Sequence, residues 1–315
     1  GTDRDPQAVG ASAALLAGHG ERFSSFHFGY DEAATRFAAL GIGPFDVVLL
    51  DLGLSSTQLG SDRGFSFSAG DEQPLDMRFD VTSGPTATEV IMTTPTAILA
   101  DAFRELAQVP MAGRLARILK EEAGAGRMAT VGQLVDVCHR IYGPRIRKIS
   151  SPTLPMQALR MMVNQELQRL RAFYASLADL LVPGGRLVTI SFHSGEDTIC
   201  KHVSRQMASA GGWALPFRKA MVPSEAECMV NARSRSAKLR ARTQALAASA
   251  PAFGIGFARN ARIRNRADDC AHFNLLVRFD RGLARATIFF APHDAEFSAD
   301  RNFRIDRGER ESLLF

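Results

Sequence analysis

Apolar positions along the chain fall into two kinds of pattern. Phe45–Leu52 (FDVVLLDL) is a near-continuous apolar run with acids at Asp46 and Asp51. Its length and Val/Leu content predict a strand buried on both faces. Arg186–Phe192 (RLVTISF) predicts a second such strand. Between them the apolar spacing changes to three and four. Met111–Glu122 and Thr130–Tyr142 read as helices, the latter through Val131, Leu134, Val135, Cys138 and Ile141. Gln157–Leu181 predicts the longest helix, with a stripe from Leu159 to Leu180 and a stop at Pro183-Gly184-Gly185. Thr94-Pro95 predicts a helix start with Thr as cap and Pro at the first helical position. A further helix is expected over residues 6–20, after Pro6, and Gly53–Gly70 reads as loop.

Strand, loop, helical insert, long helix, tight turn and strand together predict an α/β protein whose parallel sheet is interrupted by a helical subdomain. Ligands of such sheets bind beyond the carboxyl ends of the strands. Those ends are Asp51-Leu52-Gly53 and Ser191-Phe192-His193-Ser194. After Gly211 the periodicity fades. Residues 231–266 are expected to be extended or partly ordered, 273–279 and 285–290 are candidate late strands, and the last 20 residues are expected to be loose. No apolar run approaches the roughly 20 residues of a membrane helix.

Composition adds one thing that the pattern hides. The chain has 315 residues, 46% hydrophobic and 23% charged, which is ordinary for a globular protein and excludes a disordered one. Its formal charge is +5, but Asn231–Arg266 holds nine Arg or Lys and no acid, and Val137–Gln165 holds five and no acid. The other 250 residues therefore carry a net −9. Two basic stretches on a mildly acidic body suit a polyanion partner, and equally a pair of solvated loops. Cysteines at 138, 200, 228 and 270 show no C-x-x-C pair. Neither a zinc site nor a disulfide scaffold is expected, and reduced thiols in a soluble intracellular protein are.

Seven stretches occur in order: Asp3-Arg4-Asp5-Pro6, LLDLGLSSTQL (49–59), RGFSF (63–67), PLDMRFD (74–80), QALRMMVNQEL (157–167), PGGRLVTISFHSGED (183–197) and NARSRSAKLR (231–240). Together they resemble the MraW/RsmH family of S-adenosylmethionine-dependent methyltransferases acting on cytosine N4 of small-subunit ribosomal RNA. The resemblance covers residues 1 to about 242. It implies a Rossmann-like class I methyltransferase sheet with a helical insertion. The core is then expected over 1–85 and 157–242, the helical insertion over 86–156, and an extension of unassigned role over 243–315. The implied compartment is the cytoplasm for a bacterial chain and the mitochondrial matrix for a eukaryotic one.

The resemblance also implies site residues. Asp3 matches an acid that ends a strand and accepts from the cofactor's ribose hydroxyls, for which a carboxylate offers two strong acceptors. Tyr30 falls where an aromatic ring lies beside the adenine, Gln58 matches an amide contact to the cofactor, and Asp51 faces the sulfonium and amino end or the target amine. No metal is implied.

Cytosine N4 is a poor nucleophile because its lone pair is delocalised into the ring, so acceptors must hold its N–H groups as the methyl arrives. The usual Asp/Asn/Ser-Pro-Pro-aromatic tetrapeptide of amino-methyltransferases is missing from the sequence. Asp51, Ser55 and Ser56 stand at the comparable strand end, and His193 stands at the next one, where it could position the base or relay a proton. Phe65 and Phe67 could stack on a flipped-out cytosine, or anchor their loop in the core. Arg63, Arg78, Arg160, Arg233, Arg235, Lys238 and Arg240 are candidate phosphate contacts.

Two departures from the family matter. Its members carry a strand and a loop, Asp-Gly-Thr-x-Gly-x-Gly-Gly-His, ahead of the Asp-Arg-Asp, where this sequence begins. The expectation is an N-terminally incomplete chain, or a remnant with little cofactor affinity that binds RNA without catalysis. The family's His-Pro-Ala-Thr-Arg before QALR reads Ser150–Leu154 (SSPTL) here, which replaces its Arg by Leu154.

Overall fold

The computed structural model describes residues 1–68 and 70–245 together with the backbone of 275–277. They form two compact units: Gly1–Gly53 with the chain from Arg169 onward, and Leu54–Gln168.

The first unit opens with β1 (Thr2–Asp3), α1 (Pro6–Leu15), β2 (Phe26–His27), α2 (Ala33–Ala39) and β3 (Phe45–Asp51). Asp5 caps α1 by accepting from Gln7 N at 3.0 Å, with Pro6 in the first turn where its missing N–H costs nothing. The helix expected to residue 20 ends at Leu15 and passes into a 3₁₀ turn, Ala17–Arg22. Strands β1 and β2 pair in parallel, Asp3 opposite His27. Phe26, Phe28, Phe37 and Phe45 then tie β2, α2 and β3 together, with ring centroids 5.2–5.8 Å apart.

The second unit is mostly helical: α3 (Ser56–Leu59), α4 (Ala87–Thr93), α5 (Thr96–Ala107), α6 (Ala112–Gly124), α7 (Val131–Tyr142), the hairpin β4 (Arg145–Ile146) and β5 (Ile149–Ser150), α8 (Thr153–Asn164) and the start of α9 (Glu166–Leu180). Its core is built from apolar stripes, with Leu99, Phe103, Leu115, Leu119, Leu134 and Leu159 all fully buried. Thr94 does not cap a helix with Pro95 inside it. Instead Pro95 is itself the cap position, its carbonyl accepting from Leu99 N at 2.9 Å, and Thr94 stays extended as residues before proline do.

The long helix expected over 157–181 is two helices. Gln165 takes a left-handed conformation (φ 52°, ψ 36°) between α8 and α9. At the break the buried Asn164 amide ties the helix end to residues far back in the chain, while its Nδ2 also donates to Arg160 O within α8 at 3.0 Å. Its Oδ1 accepts from Phe79 N at 2.8 Å and its Nδ2 donates to Met77 O at 2.7 Å.

The chain then returns to the first unit through β6 (Leu181–Ser191), α10 (Ser194–Ser209), β7 (Trp213–Ala214), α11 (Glu225–Val230), a 3₁₀ turn at Ala232–Ser236, β8 (Lys238–Gln244) and β9 (Leu275–Val277). The sheet order is β7-β8-β6-β3-β9. Only β3 and β6 are parallel; β7 and β9 join antiparallel at the sides and β8 runs antiparallel to β6. The sheet is mixed where a parallel one was expected. Pro183-Gly184-Gly185 lies inside β6 rather than after a helix, and the register shifts there between Phe45 and Val47 of β3, as a bulge requires. Residues 238–244, part of the stretch expected to be extended or partly ordered, form a full strand between β6 and β7. Within the expected late strand at 273–279, residues 275–277 pair with β3, while 285–290 lie outside the described residues. Among the described residues, no helix is long and apolar enough to cross a membrane.

Candidate active site

The carboxyl ends of two parallel strand pairs lie in the first unit, and each carries an acid. Asp51 is the last residue of β3, in register with Ile190. Leu52 N donates to Ile190 O at 3.0 Å and carries the pairing one step further. Gly53 follows with φ 105°, and a Cβ there would stand 3.1 Å from the Phe192 ring, so the chain turns off β3 where only glycine fits. Asp3 closes β1, and its Oδ1 accepts from Asp5 N at 2.7 Å. Tyr30 stands in a 3₁₀ turn just past β2, edge-on to Phe173 at 5.8 Å. Its neighbour Asp31 accepts from Arg169 Nη1 at 2.7 Å, which ties that turn to α9. Gly29 has no room for a Cβ against the Asp31 carboxylate.

His193 is the N-cap of α10. Its Nδ1 accepts from Glu196 N at 3.4 Å, and its Nε2 lies 3.2 Å from Glu196 Oε1. The buried Glu196 in turn accepts from Phe192 N at 3.0 Å and His193 N at 3.4 Å. Both ring nitrogens thus face one residue. The imidazole Nδ1 is held in a cap that shapes the end of β6, while its Nε2, close to Glu196 Oε1, makes no hydrogen bond.

Ser55 and Gln58, in the second unit, form a reciprocal capping box. Gln58 N donates to Ser55 Oγ at 3.0 Å and Ser55 N donates to Gln58 Oε1 at 3.1 Å, both residues being buried. Ser55 is therefore a helix cap, and the Gln58 carbonyl is committed to the backbone. Ser56 opens α3 and is half-buried.

Several expected RNA contacts are internal instead. Phe65 is buried in the helical core and stacks on Phe79 at 5.6 Å, so its ring is not placed to stack on a base, while Phe67 is half-buried against the same core. Arg63 is buried and donates to Phe79 O at 3.0 Å and to Arg78 O. Arg160 makes a two-pronged pair with Glu166 at 2.7 and 2.9 Å, both side chains being largely buried. Arg78 keeps about a fifth of its side chain exposed, at 22%.

The basic strand β8 is the main correction. Lys238, Arg240 and Arg242 alternate along one face, as period-two geometry demands. Asp197 on α10 accepts from Lys238 Nζ at 3.1 Å and from Arg240 Nε at 2.8 Å. One turn and two turns further along α10, Cys200 O accepts from Arg242 Nη2 at 3.1 Å and Ser204 Oγ is in hydrogen-bond contact with the same nitrogen. Arg242 is fully buried, its guanidinium 4.7 Å above the Tyr174 ring. These cations pin α10 to the sheet. Among the described residues of that stretch, Arg233 and Arg235, just before the strand, are the exposed cations.

Burial opposes ionisation of Asp197, and the hydrogen bonds from Arg240 and Lys238 outweigh it, so the carboxyl stays below its ordinary range. Burial pushes the Cys138 thiol up to about 12 and the Cys200 thiol up to about 11, which suits inert packing groups. The sequence assigns no separate role to Asp76, Asn164 or Asp197, and Arg242 counts there only as charge. The K-x-R-x-R alternation was the available signal for the last two.

Residues 1–245 match the MraW methylase family. A protein of Sorangium cellulosum named ribosomal RNA small subunit methyltransferase H is 39% identical over 243 residues, covering 76% of each chain. Proteins of the same name from Thermomicrobium roseum and Beijerinckia indica are 38% and 37% identical, over 76% and 80% of this chain and 78% and 74% of their own. With acids ending the paired strands and the family's motifs spread through both compact units, the chain belongs to the MraW methylase family.

Proposed function

We propose that this protein is an S-adenosylmethionine-dependent methyltransferase acting on cytosine N4 of small-subunit ribosomal RNA. The observation that carries the reading is the pair of carboxylates at parallel strand ends, Asp3 after β1 and Asp51 after β3. The names of its relatives support the RNA substrate.

The residues present suit the cofactor by their chemistry. Asp3 offers carboxylate oxygens to a ribose diol, and the Tyr30 ring suits an adenine. The Gly53 turn keeps side-chain bulk away from the end of β3. Bound S-adenosylmethionine supplies a methyl group activated on a sulfonium. Asp51 accepts from an N4–H of the target cytosine, so that positive charge developing on the amine is met by a carboxylate. His193, fixed by Glu196, shapes the neighbouring strand end and acts as a positioning residue. Most of the rate comes from holding the amine against an already activated methyl donor. Exposed Arg233 and Arg235 contribute phosphate contacts.

Calorimetry with S-adenosylmethionine, followed by nucleoside analysis of small-subunit RNA incubated with protein and cofactor, tests the proposal. Cofactor binding and N4-methylcytidine are expected. Cofactor binding with methyl transfer to another position overturns the cytosine assignment, and no detectable cofactor binding favours an RNA-binding protein without catalysis.

A further inference from the structure

The loop of residues 74–80 is unusually well held. Leu75 N donates to Ala129 O at 2.9 Å and Met77 N to Arg63 O at 2.8 Å. Every carbonyl from Leu75 to Phe79 has a partner: Thr88 N, Ala87 N, Asn164 Nδ2 and, for the last two, Arg63 Nη1. Met77 is buried and left-handed, with φ 60°. A non-glycine residue in that region is strained and persists only where its surroundings over-determine it. A surface loop fixed this thoroughly presents whatever it carries in one geometry.

What it carries is an ion pair between Asp76 and Arg78. Arg78 Nε donates to Asp76 Oδ1 and Nη2 to Asp76 Oδ2, both at 2.8 Å, and Nη1 donates to Gly84 O at 3.3 Å. Asp76 Oδ1 also accepts from Arg78 N at 3.0 Å, which locks the carboxylate to the same backbone. Guanidinium has five N–H groups in a rigid fork. These bonds use the side edge and one N–H of Nη1. One N–H on each of Nη1 and Nη2 remains beyond these bonds. Two donors held on one planar group can meet two oxygens of one phosphate, a geometry a lysine cannot offer. Both side chains keep partial exposure, 22% for Arg78 and 17% for Asp76.

We infer that Arg78 clasps a backbone phosphodiester of the RNA through its remaining Nη1 and Nη2 N–H groups, and that Asp76 is the positioning residue that aims it. The inference rests on the RNA reading above. It makes a prediction opposite in sign to simple electrostatics. Removing the Asp76 charge makes the surface more positive, which by itself tightens RNA binding. If Asp76 aims Arg78, binding weakens instead.

The test measures affinity of the full chain for a short labelled cytidine-containing RNA by fluorescence anisotropy, for wild type, Asp76→Asn, Arg78→Lys and Arg78→Gln, with thermal unfolding alongside. Arg78→Lys keeps the charge and loses the fork, and is expected to weaken binding by about tenfold, the size of one charged hydrogen bond. Asp76→Asn is expected to weaken it severalfold. Wild-type-like or tighter binding by folded Asp76→Asn overturns the positioning role, and unchanged affinity of Arg78→Lys overturns the clasp even if Asp76→Asn fails to fold. Absence of RNA binding by the wild type overturns the underlying RNA reading and this inference with it.

Discussion

Arg240 Nε donates to Asp197 Oδ1 at 2.8 Å, from the middle of β8 to the first turn of α10. Asp197 thereby spends its charge inside the fold, and its depressed carboxyl pKa makes the contact dependent on pH. The folded-state pKa lies below the unfolded one, so the stabilisation is complete above the unfolded value, about 4. It is lost as pH falls through the folded value. Asp197→Asn is expected to cost roughly 1–3 kcal/mol at neutral pH. Urea unfolding as a function of pH checks it, with the gap between variant and wild type closing in acid.

Salt dependence of RNA binding separates surface cations from internal ones. Each phosphate contact to a single strand contributes about 0.7 to the slope of log affinity against log salt. Arg233→Gln with Arg235→Gln is expected to flatten the slope while leaving the unfolding midpoint near its wild-type value. Arg240→Gln is expected to lower the midpoint and leave the slope. A flatter slope in folded Arg240→Gln would return β8 to the RNA interface.

Asp51 is expected to matter for the transfer step. Replacing it by Ala removes the acceptor for the amine, and losses for such groups run to about 10²–10⁴-fold. Single-turnover methylation with RNA affinity measured in parallel checks this: the rate falls and RNA affinity holds. Full methylation rate in Asp51→Ala removes Asp51 from the reaction.

Buried Arg242 has no carboxylate partner among the described residues, and its Nε and Nη1 make no hydrogen bond. Its acceptors survive its loss, because Ser204 Oγ also donates to Cys200 O. Arg242→Met, of similar volume, is therefore expected to be neutral or stabilising by about 1–4 kcal/mol. Arg242→Ala opens a cavity beneath α10 and is expected to cost about 2–5 kcal/mol. Denaturant unfolding of both variants decides it. A large loss in Arg242→Met shows that the cation itself is needed over Tyr174.

Local signals were legible where neighbours in sequence decide the outcome. Phe45–Leu52 reads as a strand because it must be buried on both faces, and the observed strand differs only at its last residue. Thr130 caps α7 through its own third neighbour, Gln133. The break at Gln165 could not be read, because the contacts that Asn164 makes there reach Met77 and Phe79, 87 and 85 positions earlier. Phe65 sits in a Gly/Ser-rich stretch that looks like loop, and only the helical core around it reveals its burial. Cations at 238, 240 and 242 look like an invitation to a polyanion until α10 supplies their partners. Asp51 was visible because it closes an apolar run that reads as a buried strand, whereas Asp3 was reached only through the motif resemblance, its strand being two residues long.

The helical unit, Leu54–Gln168, is one uninterrupted stretch, whereas the sheet unit is split around it. During synthesis β3 emerges long before its parallel partner, since Val48 pairs with Leu187. The helical stretch has its own buried core and relies on contacts among its own residues, so it can condense while β3 still waits. Closing the sheet then becomes a late event that joins two distant parts of the chain across an already ordered intermediate segment. That shortens the effective loop to be closed and limits the time an unpaired, apolar β3 edge stands open to other chains.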